Sequence, residues 1–117
     1  MPFRSKLDDK TMTNNNYRKV INTTENLQLV LMSLEPKEEI GFEKHKDATQ
    51  FIRVESGNMT AIVNNKKFYL HTGDSITIYP GEIHNIINNS FDNYLKLYTI
   101  YSPPQHEDNL VEKYKIM

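Results

Sequence analysis

The sequence predicts an all-β, single-domain fold, a sandwich or barrel closed by short strands. Three observations carry this. Segments rich in Val, Ile, Leu, Phe, Tyr and Thr recur along the chain and are separated by Gly, Pro, Asn and Asp turn residues. Their spacing of about eight to twelve residues is that of consecutive strands in sandwiches and barrels. The chain has 117 residues and no cysteine, so it must bury its core in one domain without disulfides.

Residues 1–16 are polar, of mixed charge, and end in Asn14-Asn15-Asn16. Without hydrophobic periodicity they read as a flexible N-terminal arm. The barrel is expected to occupy residues 17–102. Asn26 to Leu34 is apolar almost throughout and fits a strand buried on both faces. Phe51 to Glu55 and Met59 to Val63 flank a turn at Ser56-Gly57-Asn58. Asn64-Asn65 suits the positive-φ positions of a hairpin before Phe68-Tyr69-Leu70. Turns at Thr72-Gly73-Asp74 and Pro80-Gly81 bracket a strand from Ser75 to Tyr79. Ile83 to Asn88 and Tyr94 to Tyr101 complete the set. Residues 103–117, after Pro103-Pro104, read as a polar C-terminal tail that either lies over the outside or is partly mobile.

Composition removes several function classes. A formal net charge of −1 with no basic stripe argues against nucleic acid as a partner, because that binding needs clustered Lys and Arg. No apolar run approaches the roughly 18 residues of a membrane span. Arg4 and Lys6 are followed by Asp8 and Asp9 rather than an apolar stretch, so an export leader is not expected and a cytoplasmic location is. The absence of cysteine excludes thiolate metal sites.

Two stretches carry the chemistry. The first is Gly41-x-Glu43-x-His45-x4-Gln50-x6-Gly57 and the second Gly73-x5-Tyr79-x-Gly81-x2-His84-x3-Asn88. Side chains two apart on a strand share a face, so Glu43 and His45 point the same way. Lys46 to Thr49 can turn the chain so that Gln50 returns beside them, and His84 arrives from a distant strand. Two imidazoles and one carboxylate form the ligand set of non-haem iron sites, with Gln50 as a neutral fourth oxygen.

The pair of stretches resembles the two motifs of the cupin superfamily, G-x5-H-x-H-x3,4-E-x6-G and G-x5-P-x-G-x2-H-x3-N. Glu43 stands for the first His, Gln50 for the Glu and Tyr79 for the Pro, with Pro80 next to it. The resemblance spans Gly41 to Asn88 and implies a β-jelly-roll barrel holding one divalent ion, Mn, Fe, Zn or Ni, through Glu43, His45, Gln50 and His84. Three His with one Glu, and this set, both present one negative charge to the ion. Within the superfamily the chain looks most like the short mannose-6-phosphate isomerase-like proteins. That implies a metal-assisted isomerase acting on a small polar metabolite such as a sugar or sugar phosphate. An iron-dependent dioxygenase and a non-catalytic sugar- or metabolite-binding cupin are the alternatives. The family's habit, with sheet edges that need cover, implies a homodimer in which residues 1–16 and the strand from Tyr17 cross a two-fold axis.

Other candidates have plainer expectations. His71 precedes a turn and His106 lies in the tail beside Glu107 and Asp108, so both are expected in solvent. Asn88 is expected to tie down a strand end. Tyr79, Tyr98 and Tyr101 could reach the barrel interior as donors, with core packing the simpler role. Arg53 alternates away from Gln50 and should face outward. Lys44, Lys46, Lys66 and Lys67 read as turn and surface residues, leaving no evident cation cluster for a phosphate.

Overall fold

Alternating and continuous apolar runs become strands where turn residues release the chain. The computed structural model, which describes residues 1–116, shows nine of them after one short helix. The helix α1 is Leu7–Thr13. The strands are β1 Arg18–Thr23, β2 Gln28–Leu34, β3 Thr49–Ser56, β4 Asn58–Val63, β5 Lys66–His71, β6 Ser75–Ile78, β7 His84–Asn88, β8 Leu95–Ser102 and β9 Val111–Glu112. They form a six-stranded sheet in the order β6-β3-β8-β2-β1-β9 and a three-stranded sheet in the order β5-β4-β7. Every named pairing is antiparallel.

Asn64 and Asn65 take φ of 48° and 68° at the β4–β5 hairpin, the left-handed conformation that Asn tolerates best after Gly. Gly57 joins β3 to β4 at φ 115°, where a Cβ would stand 3.1 Å from the Tyr94 carbonyl oxygen. Only glycine fits both the angle and the space.

The core lies between the sheets. Val30, Met32, Leu34, Ile52, Val54, Leu95 and Leu97 of the larger sheet meet Met59, Ala61, Leu70 and Ile86 of the smaller. All seven residues of β2 are buried, as its apolar run requires.

The outer face of β2 is covered by the N-terminal segment, and here the expectation of an arm without regular structure is corrected. Leu7–Thr13 is helical and packs over β2, β3 and β8. Thr11 and Asn14 are buried, and the Lys96 ammonium binds the Asn14 carbonyl at 2.6 Å and the Ser33 hydroxyl at 3.0 Å. An apolar strand face in the middle of a sheet needs such a cover. The tail likewise returns to the sheet: β9 pairs with β1, and the Val20 amide donates to the Leu110 carbonyl at 2.9 Å. The β1 edge, on which the two-fold pairing was expected to rest, is therefore covered within the chain.

Candidate metal centre

Residues 38–45 run beside β7 as an irregular extra strand. Glu43 exchanges two backbone hydrogen bonds with His84, and the Ile40 amide donates to the Ile86 carbonyl. The Asn85 side chain fixes the loop above, accepting from the Gly41 amide at 2.8 Å and donating to Glu39 at 2.9 Å. The turn before β7 is clamped by Glu82, whose carboxylate accepts from the Tyr79 amide at 2.7 Å. The Gly81 amide then donates to the His45 carbonyl at 2.9 Å. The two sequence stretches thus meet through their backbones before any side chain is considered.

Glu43, His45 and His84 converge, each offering a ligand atom within 4.8 Å of the others. The His45 Nε2 and Glu43 Oε1 are 3.9 Å apart, a separation that two donors at about 2.1 Å from one ion can have. His84 is buried, and its Nδ1 lies 2.9 Å from the Glu82 carbonyl oxygen. A carbonyl only accepts, so Nδ1 carries the proton and Nε2 keeps its lone pair for a ligand role. Burial pushes the His45 pKa down, with the neighbouring His84 adding to this and the Glu43 carboxylate opposing it. The result favours neutral imidazole, the form that binds metals.

Gln50 comes from the facing sheet. Its amide nitrogen donates to the Thr99 hydroxyl at 3.1 Å and the Tyr101 hydroxyl at 3.2 Å. The Tyr101 ring stands edge-on to His45, with ring centroids 5.3 Å apart. With both amide hydrogens committed, the Gln50 Oε1 is left buried and without a partner, as are the Nε2 atoms of His45 and His84. A buried polar atom without a partner costs about 1–3 kcal/mol. Several in one place suit a cation, and this donor set could hold a divalent metal ion.

The remaining candidates separate cleanly. Of the three tyrosines, Tyr101 is buried beside the group, with its phenol pKa raised by burial. Tyr98 lies against Phe51 on the outer face, and Tyr79 is exposed. Arg53 faces outward beside Glu55. His71 is exposed and bonded to Asn58. Asn88 ties a strand end, donating to the carbonyls of Leu34, Glu35 and Asn93.

His106 is a correction. It is not in solvent but packs edge-on against Tyr101 at 5.2 Å. Burial, then the Arg18 charge, holds its pKa down to about 4. Arg18 is a second residue that the sequence reading passed over. Its side chain is 11% exposed and ion-paired with Glu112 at 2.6 Å. Its place two residues before buried Val20 was the available signal, since alternation puts both on one face. For His106 the signal was the Leu110-Val111 pair beyond it, which marks a tail that returns to the sheet.

A family model described as a cupin domain matches residues 30–101. The chain is 50% identical over 101 residues to the uncharacterized protein L612 of Acanthamoeba polyphaga mimivirus, covering 84% of this chain and 63% of that one. It is 36% identical over 120 residues to the uncharacterized protein YrkC of Bacillus subtilis, covering 97% of this chain and 64% of that one. It therefore spans just under two thirds of the length of these curated relatives. The crystal structure of BH2720 from Bacillus halodurans superposes with a TM-score of 0.93 at 34% identity, covering 97% of this chain and 89% of that one. A further motif position, besides Glu43, Gln50 and Tyr79, departs from the family pattern. Its opening glycine, six residues before the first ligand, falls on Lys37, which takes φ 65°. The left-handed turn is kept without the glycine. Motif, topology and relatives agree that the chain belongs to the cupin family.

Proposed function

We propose that the protein binds one divalent metal ion through Glu43, His45, His84 and Gln50 and acts there on a small polar metabolite. The observation that carries this is the set of partnerless buried atoms, His45 Nε2, His84 Nε2 and Gln50 Oε1, beside the Glu43 carboxylate. When bound, such an ion polarises an oxygen of the metabolite. The protein's own part is to hold the donors in place through Glu82, Thr99 and Tyr101. The Glu43 side chain is 31% exposed and His45 13%, so a metabolite approaches from the Glu43 side.

Between reaction classes, the ligand set favours the iron-dependent oxygenase reading over sugar isomerisation. Isomerisation needs a base to carry a proton between neighbouring carbons. Among the described residues, Glu43 belongs to the ligand set and Glu112 is tied to Arg18, so that base would have to be an imidazole such as His106. Two imidazoles and one carboxylate with open positions suit oxygen chemistry without a further base. A sugar phosphate is disfavoured for the same reason, as the interior cation Arg18 is already paired and Lys44, Lys46, Lys66 and Lys67 are exposed.

The test is metal content by mass spectrometry on dialysed protein beside a His45→Ala/His84→Ala double variant, followed by oxygen uptake of the iron-loaded protein. Near-stoichiometric metal in the wild type alone is expected. Metal in neither protein after reconstitution would leave a metal-free binding module. Turnover of a metabolite with no oxygen consumed would return the isomerase reading to first place.

A further inference from the structure

Gln28 is fully buried at the end of β2, in register with Tyr101 on β8. Its Oε1 accepts from the backbone amides of Gln105 at 3.2 Å and His106 at 3.0 Å. Its Nε2 donates to the His106 carbonyl at 2.8 Å and to the Thr23 hydroxyl at 3.0 Å. A side-chain amide has two donors and two acceptor positions. All four are used here, and three of them hold residues 105 and 106. Downstream, the Val20–Leu110 bond, the β1–β9 pairing and the Arg18–Glu112 ion pair fasten the same segment a second time. Residues 103–110 are thus held to the barrel at both ends.

The side chain so placed is an imidazole. Tyr101 stands edge-on both to His106, at 5.2 Å, and to His45, at 5.3 Å. His106 and the ligand candidate His45 therefore share one aromatic neighbour. Its Nε2 is buried and without a partner, a property shared within this cluster by the His45 and His84 Nε2 atoms and Gln50 Oε1. The other three have a metal ion to serve; His106 does not belong to that set of converging donors.

We propose that the C-terminal segment 103–110 is a fixed wall of the metal pocket, and that His106, through Nε2, is the group that hydrogen-bonds the small molecule bound at the ion. This rests on the metal reading above and adds a specificity residue from outside both sequence motifs. A neutral imidazole presents Nε2 as donor or acceptor according to its tautomer, so it can meet either an anionic oxygen or a hydroxyl. Gln28 is a positioning residue, acting through the backbone of 105 and 106.

The experiment uses cobalt-loaded full-length protein and azide as the probe, following the visible cobalt bands. Wild type, His106→Phe and His106→Gln are compared for cobalt content and azide affinity. Equal cobalt content is expected in all three, with azide binding about tenfold weaker in His106→Phe, the loss that one hydrogen bond to a charged ligand implies. His106→Gln, which keeps a donor, should recover part of it. Unchanged azide affinity in His106→Phe, with cobalt retained, overturns this inference alone. Loss of cobalt from His106→Phe also overturns it, since the residue would then serve the ion itself. A wild type that takes up no cobalt sinks the metal reading, and the role of His106 with it.

Discussion

Asn88 and Gln50 are both buried amides on inward-facing positions of facing sheets, and the structure treats them in opposite ways. Asn88, at the end of β7, shares its two amide hydrogens among three carbonyls, and its oxygen accepts from the Ser90 amide at 3.0 Å. Gln50, beside the ligand set, uses its nitrogen twice and leaves its oxygen without a partner. The first pattern closes a strand end and costs nothing in unmet polar groups. The second keeps an acceptor free beside the ligand candidates, a cost that a bound ion would remove. One end of the barrel interior is thus finished by its own hydrogen bonds. The other leaves acceptors that a bound ion could use.

The largest break of this contrast should come from Asn88→Ala. It removes the partner of the buried Leu34 carbonyl and of the half-buried Glu35 and Asn93 carbonyls, so urea unfolding is expected to show a loss of about 2–3 kcal/mol. A loss well below about 1 kcal/mol would mean that water replaces the side chain easily. Next, His84→Ala should abolish retention of metal while leaving the β circular dichroism nearly unchanged. Full metal stoichiometry in that variant would remove His84 from the site.

Gln50→Met sharpens the comparison from the other side. It deletes a partnerless oxygen, so stability of the metal-free protein should move by less than about 1 kcal/mol. Metal affinity, measured by competition with a chelator, should fall roughly ten- to hundredfold. A large destabilisation with unchanged affinity would make Gln50 a structural amide like Asn88.

The smallest effect is pH dependence. Burial, then the Arg18 charge, holds the His106 pKa down to about 4, against an ordinary value of 6.5. Between these values the unfolded chain binds more protons than the folded one, so stability rises with pH across that window. Seen the other way, stability is lost as pH falls from about 6.5 and levels off below about 4 for this group. His45, also depressed, acts in the same direction. Metal-free His106→Asn should show a shallower slope in chemical denaturation. Equal slopes in variant and wild type would mean that the imidazole is more hydrated than its packing against Tyr101 indicates.

The strands and turns were legible in the sequence because their signals are local. Period-two alternation marked β3 and the apolar run marked β2. Asn64-Asn65 and Gly57 announced backbone angles that few other residues adopt. The ligand candidates Glu43, His45, Gln50 and His84 were legible for a related reason, because a strand shared by Glu43 and His45 and a tight turn before His84 constrain where those side chains go. The structure brings Glu43, His45 and His84 together and sets Gln50 beside Tyr101 on the facing sheet.

Only the tertiary structure decided what covers and what closes. Leu7–Thr13 has no apolar stripe of its own, and its helix forms against the outer face of the larger sheet, where tertiary packing outweighs a weak local signal. Tyr98 and Tyr101 differ by three positions on β8, so strand register alone sends one outward and the other into the site. Arg18 and Glu112 meet across 94 residues, and His106 reaches Tyr101 because a buried Gln28 holds the returning tail. Such contacts depend on which distant segments become neighbours, and the identity of those neighbours is fixed by sheet order and packing, which local residue patterns do not encode.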